Sequence, residues 1–178
     1  MKAPGRLQKR ALALALLVLV LDQASKWYMV DIVMQPPRVI EVTGFFNLVL
    51  TYNYGVSFGL FSDGVASWQP WALSGLALAI TLGLLYWLWQ LTHWLPALGV
   101  GLIVGGAIGN SLDRVFRAER AVVDFLDFHL AGWHWPAFNL ADSAIVLGVA
   151  ALVLDGLFLQ DRGGSIPASG DGRKQGEI

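Results

Sequence analysis

The sequence predicts a mainly α, polytopic membrane protein: four transmembrane helices, a small extracytoplasmic antiparallel β-structure and a periplasmic loop. Two observations predict it. The 178 residues are 56% hydrophobic and only 14% charged, where soluble domains average about 45–50% and about 25%. The stretch Gly64–Leu112 contains no Asp, Glu, Lys or Arg, and each crossing of a bilayer needs about 20 apolar residues. A disordered or nucleic-acid-binding chain is excluded, because neither carries this hydrophobicity with a net charge of only -1. The absence of cysteine removes disulfides, thiolate nucleophiles and Cys-ligated metal centres.

The first span is expected near Ala11–Val30. Lys2, Arg6, Lys9 and Arg10 precede it, as in a secretory signal peptide. No Ala-x-Ala-like site follows, and the apolar pattern continues past Asp22 to Val30, so an uncleaved helix is expected. Asp31–Pro70 then contains Arg38–Thr43 and Phe46–Tyr52, β-branched and aromatic runs separated by Gly44. An extracytoplasmic β segment is expected at about 36–66. The long uncharged stretch breaks at Leu91-Thr92-His93-Trp94-Leu95-Pro96, a natural turn, which gives spans near Trp71–Leu91 and Pro96–Leu112. Val115–Pro136 forms the periplasmic loop, with a β-like run at Ala121–Phe125. A fourth span is expected near Ala137–Leu159. Residues 1–160 read as one membrane-embedded domain, and the Gly-, Ser- and charge-rich 161–178 as a disordered cytoplasmic tail.

An even number of spans puts both termini on one side, and four basic residues in the first ten favour the cytoplasm. Arg114, Arg117 and Arg120 then fall on the outer side, against that rule. Trp27, Trp68, Trp71, Trp94, Trp133 and Trp135 lie near span ends, as an aromatic belt would.

Ionisable groups at membrane depth are costly and are functional candidates. Asp22, Asp113, Asp124 and Asp142 qualify. Asp22 has Lys26 one turn on, so the two can pair as a structural or supporting unit. Asp113 is followed by Arg114 at a span end, where capping or pairing is the plain reading. Asp124 lies in Val-Val-Asp-Phe and Asp142 in Asn-Leu-Ala-Asp-Ser. Carboxylates in apolar surroundings have raised pKa values. Two brought together can share one proton, as in aspartic proteases; structural and proton-relay roles remain open at this point. Asp127 rivals Asp124, but residues three apart on a strand face opposite ways. Asn53, Asn110 and Asn139 fall near the same outer membrane level. Gly101, Gly105 and Gly109 are four apart, a spacing that admits a second helix closely. His129 and His134 make a weak metal pattern. No Gly-x-Ser-x-Gly or His-Glu-x-x-His occurs.

In order along the chain, five motifs resemble those of bacterial lipoprotein signal peptidase, signal peptidase II. They are Asp22-Gln23-Ala24-Ser25-Lys26, Asn53-Tyr54-Gly55-Val56-Ser57-Phe58, Gly105 to Arg114, Val122-Val123-Asp124-Phe125 and Phe138-Asn139-Leu140-Ala141-Asp142-Ser143. Tyr54 and Ser57 stand where Thr and Ala are common. The resemblance implies an aspartyl endopeptidase of the bacterial inner membrane. It would remove the signal peptide from a prolipoprotein, cutting just before a diacylglyceryl-modified cysteine. By that similarity Asp124 and Asp142 are catalytic. Asn53, Gly55, Asn110, Arg114 and Asn139 bind substrate or support the site, and Asp22, Lys26 and Asp113 stand behind it. No metal or cofactor is expected. The partners are the prolipoprotein and membrane lipid, not nucleic acid, and a monomer is expected. Whether the β segment and the periplasmic loop close over substrate as a lid is not something the sequence decides.

Two other classes compete on the residues alone. A proton-relay or carrier subunit would line a path through the bilayer with ionisable groups. A purely structural protein would leave four membrane-level carboxylates unexplained, each costing about 2.5–3.5 kcal/mol at a helix centre.

Overall fold

The computed structural model describes residues 5–55 and 67–158. In chain order these form α1 (Arg6–Tyr28), a π-helical turn (Met29–Val33), β1 (Ile40–Thr43), β2 (Phe46–Asn53), α2 (Gln69–Leu88), α3 (Trp94–Phe116), β3 (Val122–Leu130), β4 (Trp133–His134) and α4 (Leu140–Phe158). All four α-helices are long and apolar enough to cross a membrane. The expected tail 161–178 and the later part of the expected β segment, 56–66, lie outside the described residues.

The helix ends depart from the apolar stretches, each for a local reason. α1 starts at Arg6 because charged residues continue a helix once they reach the interface. α2 starts with Gln69-Pro70 in its first turn, where proline needs no hydrogen-bond donor, and ends at Leu88 rather than Leu91. α3 runs to Phe116, a turn past the expected Leu112. Asp113 does not end it, because that carboxylate is paired. α4 begins at Leu140 rather than Ala137, because Asn139 caps it: its Oδ1 accepts the backbone N–H of Asp142 at 2.9 Å.

α3 is the central helix, with 12 buried residues, because its glycines let backbones close in. A Cβ on Gly101 would lie 2.6 Å from the carbonyl oxygen of Ala11, and one on Gly105 2.5 Å from that of Ala15. These contacts run in register, so α1 and α3 are parallel. On the other face Gly99 meets Gly148, and Gly106 meets Ala141, so α4 is antiparallel to α3. Small residues drive helix association in lipid, where burial of apolar surface gives nothing. The outward faces stay apolar: Leu16, Val20, Leu76, Leu82, Val146 and Val153 are all more than half exposed.

The strands form one antiparallel sheet in the order β1-β2-β3-β4, with Phe46 opposite Phe128 and Thr51 opposite Asp124. An extra residue in β2 between Leu48 and Thr51 shifts the register. Met29, Met34, Val123 and Phe125 pack beneath the sheet. The β-like run expected at Ala121–Phe125 is therefore the start of a longer, central strand. β2 and β3 share one hydrogen-bonded ladder, which ties the described strands of the two outer segments together.

Candidate active site

Asp124 and Asp142 are held at the sheet-bearing ends of α3 and α4 by amide side chains whose orientations are fixed. Asn139 sits at the first turn of α4. Its Nδ2 donates to Asp124 Oδ1 at 2.6 Å, and its backbone N–H donates to Asp142 Oδ2 at 3.2 Å. With the return bond from Asp142 N–H to Asn139 Oδ1, this is a reciprocal capping box. Asn53, at the end of β2, donates from Nδ2 to Asp124 Oδ2 at 3.0 Å. Asn110 on α3 donates from Nδ2 to Asp142 Oδ1 at 2.7 Å. Each carboxyl group thus receives two donors, and Asn139 contacts both.

Lys26 and Gly55 set those amides. Lys26, fully buried, donates to Asp22 Oδ2 at 2.9 Å, Asp113 Oδ2 at 2.8 Å and Asn110 Oδ1 at 2.9 Å. Three donors meet three acceptors. The oxygen of Asn110 must face Lys26, so its NH2 must face Asp142. Gly55 donates its N–H to Asn53 Oδ1 at 2.8 Å, which turns the NH2 of Asn53 toward Asp124. Gly55 has φ +86°, a conformation that favours glycine, and a Cβ there would run into Leu73.

Burial pushes the Asp124 carboxyl up, and the negative charge of Asp142 adds to it. Hydrogen bonds from Asn53 and Asn139 oppose the rise, and the balance is about 6. Asp127 points the other way along β3, as the alternation requires. Its carboxylate is bonded by His134 Nδ1 at 2.9 Å and Asn47 Nδ2 at 3.0 Å. Burial raises its pKa, but those bonds outweigh burial and hold it below the usual carboxylate range.

The Asp22–Lys26 pair expected from the sequence is present, and it is part of a larger network. Asp22 Oδ1 also accepts the backbone N–H of Ala141 at 3.0 Å, so α1 supplies a cap to α4. Asp113 pairs with Lys26 and with Arg117 at 2.8 Å. Its neighbour Arg114, the partner suggested by adjacency, instead donates from Nη1 to the backbone oxygen of Asn110 at 3.5 Å. Gln23 and Arg117 were not singled out by the sequence. Gln23 Nε2 reaches Asp22, Gly109 O and Asp113, and Arg117 follows Asp113 at the i,i+4 spacing that could have identified it. His129 and His134 stack at 4.9 Å between ring centroids, and no group of three or more potential metal ligands occurs among the described residues. Ser57 lies outside the described residues.

The fold and site define a class: a multi-pass membrane enzyme whose carboxylates gather where membrane helices meet an extramembrane sheet. Residues 14–158 match the family model described as signal peptidase (SPase) II. The chain is 43% identical to the lipoprotein signal peptidase of Pseudoalteromonas atlantica, over 82% of this chain and 88% of that one. It is 44% identical to that of Burkholderia multivorans, over 82% and 86%. Two bacterial membrane enzyme structures determined by the in meso method share the fold. One has TM-score 0.73 at 25% identity, covering 89% of this chain and 93% of the other; the second has TM-score 0.71 at 27% identity, covering 84% and 94%. The chain belongs to the signal peptidase II family, and it is an aspartic protease.

Proposed function

We propose that this enzyme removes the signal peptide from diacylglyceryl-modified prolipoproteins, cutting just before the lipidated cysteine, with Asp124 and Asp142 as the catalytic pair. The observation that carries this reading is that Asn139 bonds both carboxyl groups, its side-chain Nδ2 to Asp124 and its backbone N–H to Asp142, beside an Asp124 pushed up to about 6. Such a pair holds one proton. Asp142, as carboxylate, takes a proton from a water whose oxygen bonds to the scissile carbonyl carbon. Asp124 gives its proton to the carbonyl oxygen. The tetrahedral diol collapses as the C–N bond breaks: the leaving nitrogen takes the proton held by Asp142, and Asp124 recovers one from a hydroxyl. The pair returns to its starting state.

Asn53, Asn110 and Asn139 hold the carboxyls, Gly55 fixes Asn53, and Arg114 provides positive charge beside the pair. Asp22, Lys26 and Asp113 stand behind as the buried network that orients Asn110. The substrate's signal helix and acyl chains partition into lipid, so the scissile bond must be met at the interface. A pair at the helix ends serves that need. The basic first turns of α1 favour both termini in the cytoplasm of a bacterial inner membrane, with the site near the outer face. Residues 1–160 would act as one peptidase domain and as a monomer.

The test is a gel-mobility cleavage assay on purified protein with a diacylglyceryl-modified prolipoprotein. Wild type is expected to trim it, and Asp124→Asn and Asp142→Asn to fold but not cleave. Full activity in either variant would falsify the pair. Failure of the folded wild type would remove the substrate assignment and turn attention to solute or proton flux in vesicles.

A further inference from the structure

We propose that the groove between the N-terminal ends of α1 and α3 binds one anionic phospholipid. Three features of that end of the bundle converge. First, the groove is a concavity of about 260 Å³ whose lining is apolar apart from Arg10. Its floor is Ala11 and Ala97, both nearly fully buried. Their small side chains let the helices close in and leave a depression between the taller walls of Leu7, Leu14 and Leu98. The walls are apolar, and both helices span the membrane, so hydrocarbon is the medium that meets them.

Second, the mouth is cationic. Arg10 lines it, with Trp94 on the opposite wall. Arg6 and Lys9 lie within one turn, both exposed. Among the described residues, no carboxylate forms an ion pair with any of these three cations. Third, α1 and α3 are parallel, so both present their N-termini here. Neither first turn has a side-chain cap, which leaves backbone N–H groups and the positive end of each helix dipole toward the same level. An occupant must therefore join an apolar tail to a negative head. Basic pockets between transmembrane helices take anionic lipid headgroups on this chemistry.

The experiment is native mass spectrometry of the full chain in detergent, titrated in parallel with dioleoylphosphatidylglycerol and dioleoylphosphatidylcholine. The expected result is one retained phosphatidylglycerol, held more tightly than phosphatidylcholine. Arg10→Gln should weaken its retention about fivefold, the worth of one basic residue against an anionic headgroup. Lys9→Gln, which removes the same charge at a position near the mouth that does not line the groove, should weaken it less. Leu98→Trp, which fills the groove without changing charge, should also lower retention. Equal retention of the two lipids would mean ordinary annular lipid and overturn the proposal. Equal losses in Arg10→Gln and Lys9→Gln, or no loss in Leu98→Trp, would assign the effect to diffuse attraction and overturn it as well.

Discussion

Lys26 is the residue on which most of the site depends. Its three bonds neutralise Asp22 and Asp113 and dictate which way Asn110 faces. Removing one partner of a buried ion pair leaves an uncompensated charge and costs about 3–5 kcal/mol. Lys26→Met should therefore lower Tm in detergent sharply; an unchanged Tm would mean the network does not support the fold. Asp124 carries a second expectation. Its pKa in the folded protein, about 6, lies above the ordinary 3.8. A carboxyl raised on folding contributes stability that is complete below about pH 4 and is lost as pH rises through 6. The Tm of wild type minus that of Asp124→Asn should fall between pH 4 and pH 8. A difference that stays flat with pH would show that Asp124 is not raised. Asp127, three residues away in the same strand, is held low by His134 and Asn47. Strand alternation puts the two aspartates on opposite faces, and the fold turns Asp124 toward Asn139 and Asn53 and Asp127 toward Asn47 and His134.

At the level of elements, the α3 glycines separate contacts that sequence spacing cannot tell apart. Gly105 and Gly75 are both glycines inside apolar helices. A methyl on Gly105 would lie 2.5 Å from the carbonyl oxygen of Ala15, whereas one on Gly75 meets nothing within 4 Å. Gly105→Ala should destabilise by about 1–3 kcal/mol, the range for overpacking. Gly75→Ala should leave Tm unchanged or raise it, since alanine is the better helix former by up to about 1 kcal/mol. Thermal melts of the two variants side by side check this, and matched losses would remove the close approach of α1 to α3. The sheet is the element the sequence described least fully. Two of its strands were legible from β-branched runs around Gly44. The reach of β3 to Leu130 was not, because His129 and Leu130 are held by long-range pairing, with His134 and Trp133 of β4 and, for His129, with the backbone oxygen of Phe45.

For the whole molecule, the alternation of spans puts the sheet, Asp124 and Asp142 at the end of the bundle opposite the N-terminus of α1. The absence of native cysteine makes orientation directly measurable. Ala118 lies in the exposed turn after α3, and Thr92 in the exposed turn between α2 and α3. In cells with a permeabilised outer membrane and an intact inner one, a membrane-impermeant maleimide should label Ala118→Cys. Thr92→Cys should label only after lysis. The reverse pattern would put the site on the cytoplasmic side.

Composition and hydrophobic run lengths, which need no tertiary information, determined that the chain crosses a membrane with four helices. The order of five short polar motifs determined the family resemblance. Both are properties of consecutive residues. Partner identity is not. Asp113 pairs with Lys26 across 87 positions of sequence rather than with adjacent Arg114, and Asp22 caps α4 from α1. Folding brought Asn53, Asn110 and Asn139 from β2, α3 and the start of α4 around two carboxylates. Only the close packing that glycines allow, and the direction in which each amide must point to be satisfied, decided that arrangement.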